Sequence, residues 1–273
     1  MMGGLYPGTW TTFLGPSNVG KSMLMPNLAY HAVQQGKRVF VTVHEDEMLP
    51  TKMRYLSRFS GIPFNTLIHG FWDLSIEDQK KFDDADRLLK EHVVFQFMYT
   101  ADAFVERVAD EARALMRVWR FDLYLCDYGQ CLQSRAFKSI ESIRLVHEHV
   151  YHELKQLCLE LDIPGAGGAQ VNRQGMVMNR TGADWLRCTD VSEAFGIVKK
   201  SNNIITMNRS ASAVGENRMV YLLDKVRMGH CPVAVSCITD YSRCNTHQST
   251  QQQTIPIEKG PDSGAPKEGD QEK

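Results

Sequence analysis

The sequence predicts an α/β fold: a mainly parallel, twisted sheet flanked by helices, with further strands extending its edge toward the C-terminus. Three observations predict it. An apolar run, Trp10 to Leu14, leads into Gly15-Pro16-Ser17-Asn18-Val19-Gly20-Lys21-Ser22, a complete G-x-x-x-x-G-K-[ST] pattern, and a helix-like segment from Ser22 to Gln35 follows. Apolar runs and helix-period segments then alternate, which implies parallel strands covered on both faces. The chain has 273 residues and 43% hydrophobic content, enough for one large buried core or two smaller ones.

The first element is the most specific. Gly15 and Gly20 let the backbone wrap phosphate oxygens, with successive N–H groups and a helix N-terminus pointing inward. In such a loop Lys21 reaches the β- and γ-phosphates, and the Ser22 hydroxyl holds Mg²⁺. The strand before the loop and the helix after it make the pattern a nucleoside triphosphate site. Next come an apolar strand, Arg38 to Val43, and a helix from about Pro50 to Ser60 with Met53 and Leu56 on one face. A helix near Ile76 to Glu91, a strand at Val93 to Phe97, a helix at Ala103 to Val118 and a strand at Phe121 to Cys126 continue the alternation. Ile143, Val146, Val150, Leu154, Leu157 and Leu161 step by three or four, so Ile140 to Leu161 reads as one long amphipathic helix, followed by a strand at Ile163 to Ala169. Periodicity is weak from Val171 to about Lys200. Three later apolar runs, Ile204 to Met207, Met219 to Leu223 and Val233 to Ile238, read as strands that extend the sheet edge.

Residues 1–247 are therefore expected to form one core and residues 248–273, rich in Gln, Gly, Pro, Lys, Glu and Asp, a disordered polar tail. The N-terminus enters the first strand within ten residues and no run approaches eighteen apolar residues, which points to a cytoplasmic protein with no membrane partner. The seven cysteines are scattered and never spaced as a C-x-x-C pair, so free thiols are expected. A net charge of −1 gives no whole-chain signal for nucleic acid, and any such contact must come from a local patch.

Triphosphate hydrolysis needs a carboxylate beside the metal, and Leu123-Tyr124-Leu125-Cys126-Asp127 is an apolar strand ending in one. Asp127 is the expected Mg²⁺ partner. The second strand ends in Val43-His44-Glu45-Asp46-Glu47, at the edge where parallel sheets bind ligands. Glu45 is the chosen base for the attacking water, although spacing alone does not separate it from Asp46 or Glu47. His147-Glu148-His149-Val150-Tyr151-His152 lacks the second His of a zinc protease H-E-x-x-H motif.

Six motifs in order resemble the ATPase domain of DnaB-type replicative helicases, a hexameric group with the RecA-like fold. Gly4-Leu5-Tyr6-Pro7-Gly8 resembles G-L-x-P-G, and Glu45 with Arg54 nine residues on resembles the S-L-E-M segment and its arginine. Asp127-Tyr128-Gly129-Gln130 resembles D-Y-L-Q, and Leu154-Lys155-Gln156-Leu157 with Ile163-Pro164 resembles L-K-x-L-A…V-P. Gln170-Val171-Asn172-Arg173 resembles S-Q-L-N-R, and Lys225-Val226-Arg227-Met228-Gly229 resembles K-N-R-x-G. The resemblance implies ATP and Mg²⁺ as cofactors. It further implies that Glu45 polarises the water, Gln170 senses the γ-phosphate, Arg54 packs on the base, and Lys225 and Arg227 act on the site of a neighbouring subunit.

A hexameric ring on single-stranded DNA is implied in turn, with loops after Asp127 and after Gln170 lining the channel. Between Val171 and Arg209 stand six basic residues (Arg173, Arg180, Arg187, Lys199, Lys200, Arg209) against Asp184, Asp190 and Glu193, a local +3, and Arg135 and Lys138 add to it. The chain departs from the family pattern at Ser192, where an arginine is usual, at Ser201-Asn202-Asn203, where D-A-D is usual, and at Pro26 inside the first helix. It also begins at the phosphate-loop strand, where DnaB-type proteins carry an N-terminal domain, which reads as a fragment, a minimal phage helicase or a subunit that depends on a separate partner chain; a primase or a separate loader or N-terminal chain is an expected partner. The leading reading is an ATP-dependent DNA helicase of replication. A RecA- or RadA-like filament-forming ATPase and a non-catalytic ATP-binding assembly subunit are the alternatives.

Overall fold

The computed structural model describes residues 5–99, 102–137, 142–171, 185–190, 195–209, 215–227 and 231–248. In chain order the helices are α1 (Lys21–Val33), α2 (Met48–Ser60), α3 (Phe64–His69), α4 (Ile76–His92), α5 (Val105–Val118), α6 (Ile143–Leu161) and α7 (Phe195–Lys200). The strands are β1 (Trp10–Gly15), β2 (Val39–Val43), β3 (Val93–Phe97), β4 (Leu123–Asp127), β5 (Gly165–Gln170), β6 (Asn203–Asn208), β7 (Arg218–Lys225), β8 (Val233–Asp240) and β9 (Asn245–Gln248). They form one sheet in the order β3-β2-β4-β5-β1-β6-β7-β8-β9. The six strands from β3 to β6 run parallel, and β7, β8 and β9 add antiparallel pairs at the edge.

The period of two along each strand splits the core. Trp10 and Leu14 pack with α5 and α6 residues such as Val108, Val150 and Leu154, while Phe13 between them packs with Leu24, Met25 and Tyr55 on the other face. Trp10 is fully buried, donates its indole N–H to Thr12 Oγ1 at 3.0 Å and meets Tyr151 edge-on at a centroid distance of 6.2 Å. Its bulk explains the unusual composition of β5, Gly-Ala-Gly-Gly-Ala-Gln. A Cβ on Gly165 would stand 2.3 Å from Cys158 Sγ and 2.7 Å from the Trp10 ring. Glycine lies in this central strand because the facing layer fills the space a side chain would need.

Elements carried by apolar periodicity coincide with those expected to within about three residues. The weak-periodicity region includes α7, and two further elements lacked a signal. Helix α3 spans only six residues, less than two turns. Strand β9, Asn-Thr-His-Gln, is polar and is held by pairing with β8 and by Asn27 of α1, whose side chain donates to Cys244 O at 2.6 Å and accepts from Thr246 N–H at 3.1 Å. Asn27 also accepts from Arg58 Nε of α2 at 2.7 Å. Pro26 sits in α1 without interrupting it and is buried. The hydrogen bond it cannot make would have reached back to Ser22, in the first turn. The polar tail expected beyond Gln248 lies outside the described residues, as do the departure at Ser192 and the basic residues Lys138, Arg173 and Arg180. Among the described residues no helix is long and apolar enough to cross a membrane.

Candidate active site

Parallel register brings the ends of four strands to one edge. Gly15 lies opposite Gln170, and Val43 opposite Asp127. The phosphate loop leaves β1 here and enters α1, whose N-terminal residue Gly20 has φ 105°, a left-handed conformation that suits glycine. A Cβ on Gly20 would also stand 3.1 Å from the Tyr241 ring. No side chain caps this helix and no acidic residue lies in its first turn, so the leading N–H groups and the positive end of the helix dipole are left for an anion.

Lys21 is buried and donates to the carbonyls of Gly15 at 3.0 Å and Pro16 at 2.7 Å. Burial pushes its pKa down to about 8, opposed by the carboxylates of Asp127 and Glu45. Asp127 is also buried. Burial first, then the Asp46 and Glu45 carboxylates, push it up to about 7, while Arg54 and Lys21 pull the other way. Its Oδ1 has no hydrogen-bond partner. A buried carboxylate oxygen without a donor, near an amine and a helix N-terminus, fits a divalent cation as its partner. Among the described residues no cluster of three or more His, Cys, Asp and Glu could hold a metal. Mg²⁺ is commonly held by one or two protein oxygens together with nucleotide phosphates and water. Ser22 and Asp127 are the two expected here.

A cavity of about 450 Å³ opens at this edge, lined by Ser17, Asn18, Gly20, Lys21, Ser22 and Met23 of the loop and α1, and by Glu45, Asp46, Arg54 and Gln170 opposite. The three carboxylates after β2 now separate. Asp46 forms an ion pair with Arg54, and Glu47 lies at the start of α2, its carbonyl accepting from Thr51 N–H. Glu45 reaches the cavity beside Tyr128, whose phenol pKa rises through burial first and then through this carboxylate. His44, just before it, is buried between Met98 O (3.1 Å from Nδ1) and Thr42 Oγ1 (3.0 Å from Nε2), and burial lowers its pKa to about 4. The end of β2 is thereby fixed by a neutral imidazole. Gln170 donates from Nε2 to Ser17 Oγ at 2.5 Å, so the end of β5 touches the phosphate loop directly.

The remaining expected residues lie elsewhere. Because β7 is antiparallel to β6, with Ile204 opposite Lys225, the Lys225–Arg227 segment sits at the other end of the sheet from Gly15. Arg227 is exposed and donates its backbone N–H to Asn203 Oδ1 at 3.1 Å. Lys225, expected as a second cation for a neighbouring site, instead directs its ammonium to the carbonyls of Val198 (2.7 Å) and Ser201 (2.8 Å), at the C-terminal end of α7. The local +3 also needs correction. Lys199 and Lys200 both pair with Glu148 of α6, and Arg187 pairs with the buried Asp224 of β7. These acids lie outside the span whose charges were counted, so counting along the sequence overstated the free positive charge.

Ser201-Asn202-Asn203 likewise lies at the far end of β6, away from the phosphate loop. Asn202 accepts from Trp10 N–H at 3.0 Å, Ser201 Oγ is 2.7 Å from Thr12 Oγ1, and Asn203 donates to Thr11 Oγ1 at 3.0 Å. A carboxylate in place of Ser201, which is 2% exposed, would be stripped of water.

Two tyrosines were not foreseen. Tyr128 follows Asp127 within the D-Y motif, so its proximity to Glu45 was open to inference. Tyr241 had no such signal: its hydroxyl donates to Val19 O at 3.2 Å, its ring packs over Gly20, and Arg209 stacks on it at 4.3 Å. The contact with Val19 spans more than two hundred residues of sequence.

The DnaB-like helicase C terminal domain family matches residues 1–241. Among solved structures, one described as an ATPase domain aligns with a TM-score of 0.77 at 17% identity, covering 89% of this chain and 86% of that one. A DnaB-like replicative helicase described with its interactions with primase aligns with a TM-score of 0.77 at 18% identity, covering 89% of this chain and 58% of that one. At these identities the two likenesses speak to the fold. No curated protein matches the chain. With its phosphate loop, Asp127 and Gln170 on the carboxyl edge of a RecA-like sheet, and with the family match over most of its length, the chain belongs to the DnaB-like helicase C-terminal domain family, the ATP-hydrolysing domain of replicative helicases.

Proposed function

We propose that this chain hydrolyses ATP with Mg²⁺ at interfaces between copies of itself, arranged as a hexameric ring, and couples the cycle to movement along single-stranded DNA. The observation that carries the reading is the separation of Lys21 and Arg227 on opposite edges of one sheet. An arginine there cannot serve its own phosphate loop, whereas a ring brings the far edge of one copy to the near edge of the next.

In this reading residues 15–22 cradle the phosphates and Lys21 neutralises charge developing on them. Ser22 and Asp127 hold the cation, whose chemistry when bound is to screen the β- and γ-phosphate oxygens. Glu45 orients and deprotonates the attacking water, a role favoured over Asp46 because Arg54 already neutralises the latter. Gln170 detects the γ-phosphate through its contact with the loop. Arg54, which lines the cavity, packs its aliphatic stem against the base. Arg227 is the trans cation, and Lys225 supports it by tying β7 to α7. A primase, a loader or a separate N-terminal chain is the proposed partner. The core is proposed to span residues 1–247.

The test mixes two inactive proteins. Lys21→Ala and Arg227→Ala should each lower DNA-stimulated ATPase by about 10³-fold, the lower end of arginine-finger effects. Mixed together they should regain part of it, because a mixed interface combines an intact loop with an intact arginine. No rescue at any ratio, with assembly preserved, would remove the trans role. Open filaments by electron microscopy in place of closed rings would favour a strand-exchange ATPase.

A further inference from the structure

Strands β4 and β5 pair from Tyr124 opposite Gly165 to Cys126 opposite Gly167, and there the ladder stops. Asp127 remains beside β2, and Gly168 to Gln170 continue beside β1 alone. Backbone direction alternates along β5. Gly165 N–H and Val171 N–H point to β1, whereas Pro164 O accepts from Tyr124 of β4. Gly168 and Gln170 therefore turn their backbone groups toward the missing partner. An unpaired backbone group in this part-buried position would be costly.

Two side chains stand in for the strand. Tyr151 of α6 donates its hydroxyl to Gly168 O at 3.1 Å. Gln130 takes both groups of Gln170: its Oε1 accepts from Gln170 N–H at 2.5 Å and its Nε2 donates to Gln170 O at 3.3 Å. A carboxamide has the donor and acceptor of a peptide group, so one side chain reproduces one rung of a ladder. The turn that carries Gln130 is itself anchored, since His147 Nε2 of α6 lies 3.2 Å from Gln130 O.

We propose that Gln130 is a positioning residue: its carboxamide holds the end of β5 so that Gln170 stays on Ser17 of the phosphate loop, and it links that contact to the segment following β4. The inference rests on the assignment of Gln170 as phosphate sensor in the reading above. A clamp of two hydrogen bonds from one side chain can open and close in a cycle, which a continuous strand ladder does not allow. It joins the two segments that leave the carboxyl edge after β4 and after β5, so displacement of either is felt by the other.

The full-length Gln130→Ala chain should bind nucleotide within about twofold of wild type yet lose about tenfold in DNA-stimulated kcat, the equivalent of one to two such hydrogen bonds. Gln130→Glu keeps the acceptor for Gln170 N–H but loses the donor, and should fall between the two. If Gln130 acts through Gln170, the Gln130→Ala/Gln170→Ala double variant should be no slower than Gln170→Ala alone. Additive losses, unchanged kcat, or an equal fall in nucleotide affinity would overturn the proposal. One readout needs no turnover: exchange of the Gln170 amide hydrogen should quicken by about tenfold in Gln130→Ala while that of Ala166 stays protected. Unchanged exchange sinks the clamp even if the protein is a helicase. Quickened exchange in a protein that single-stranded DNA does not stimulate keeps the clamp and sinks the helicase reading.

Discussion

The two ends of the parallel sheet are built from the same strands and treat their buried carboxylates in opposite ways. At the amino end Ser201, Asn202, Asn203 and Lys225 are paired with backbone or hydroxyl groups of neighbouring elements, and the buried Asp224 holds Arg187 and accepts from Cys188 N–H at 2.5 Å. At the carboxyl end Asp127 keeps a buried oxygen without a donor and sits among two other carboxylates, and Lys21 is desolvated. The first end is organised for stability. The second carries a folding cost that a bound cation and triphosphate would offset, the usual relation between a binding site and the scaffold beneath it.

The sharpest way to break this contrast is Asp127→Asn. Turnover should fall by at least about 10²-fold, as for loss of other preorganised charge-stabilising groups. Stability should move the other way. The folded pKa of Asp127, about 7, is raised above its usual 3.8, so the fold favours the protonated acid. Its contribution is fully present below about pH 4 and is lost as pH rises through about 7. The variant should gain on the order of 4 kcal/mol at pH 8 and almost nothing at pH 4, read from urea melts at both pH values without nucleotide or Mg²⁺. A destabilised variant at pH 8 would mean that Asp127 is paired like the residues of the amino end.

At that amino end, Asn202→Ala should cost about 1–3 kcal/mol, because Trp10 N–H is left buried without an acceptor, while kcat per folded molecule stays within about twofold. A large fall in kcat with stability preserved would dissolve the distinction between the ends. The smallest effect is expected from Glu148→Gln. Its lysine partners are part exposed, so stability should change by no more than about 0.5 kcal/mol. Freed from the carboxylate, Lys199 and Lys200 should tighten single-stranded DNA binding by about threefold at low salt in fluorescence anisotropy, with a steeper salt dependence. Unchanged affinity would show that this patch does not face nucleic acid.

Most of the fold was legible because burial on both faces of a parallel sheet forces continuous apolar runs, and β1 to β8 all carry one except β5. That strand is read from its position after a long amphipathic helix, since its glycines reflect the bulk of Trp10 and not a strand preference. Strand β9 was silent because hydrogen bonds hold it rather than apolar burial. In the site, Lys21 and Asp127 could be named from the residues themselves, since a phosphate loop and an apolar strand end mark them, whereas spacing left Glu45 beside Asp46 and Glu47 and Gln170 was named only through the family resemblance. Partnerships were not legible. Nothing in the sequence tells that Arg54 meets Asp46, that Lys199 and Lys200 meet Glu148, or that Gln130 completes the ladder of β5, because each depends on where two separate elements come together.

The position of Asn27 bears on how the chain is made. A ribosome releases residues from the N-terminus at about 5–20 per second, so the phosphate loop emerges before the rest of the sheet. Yet β1 finds its two neighbours only when residues 165–170 and 203–208 have appeared, and Asn27 meets the carbonyl of Cys244 and the amide of Thr246 later still. The first-made part of the binding site is the last to be fastened. Until then the nascent chain carries an exposed central strand that only folding chaperones or its own later segments can cover.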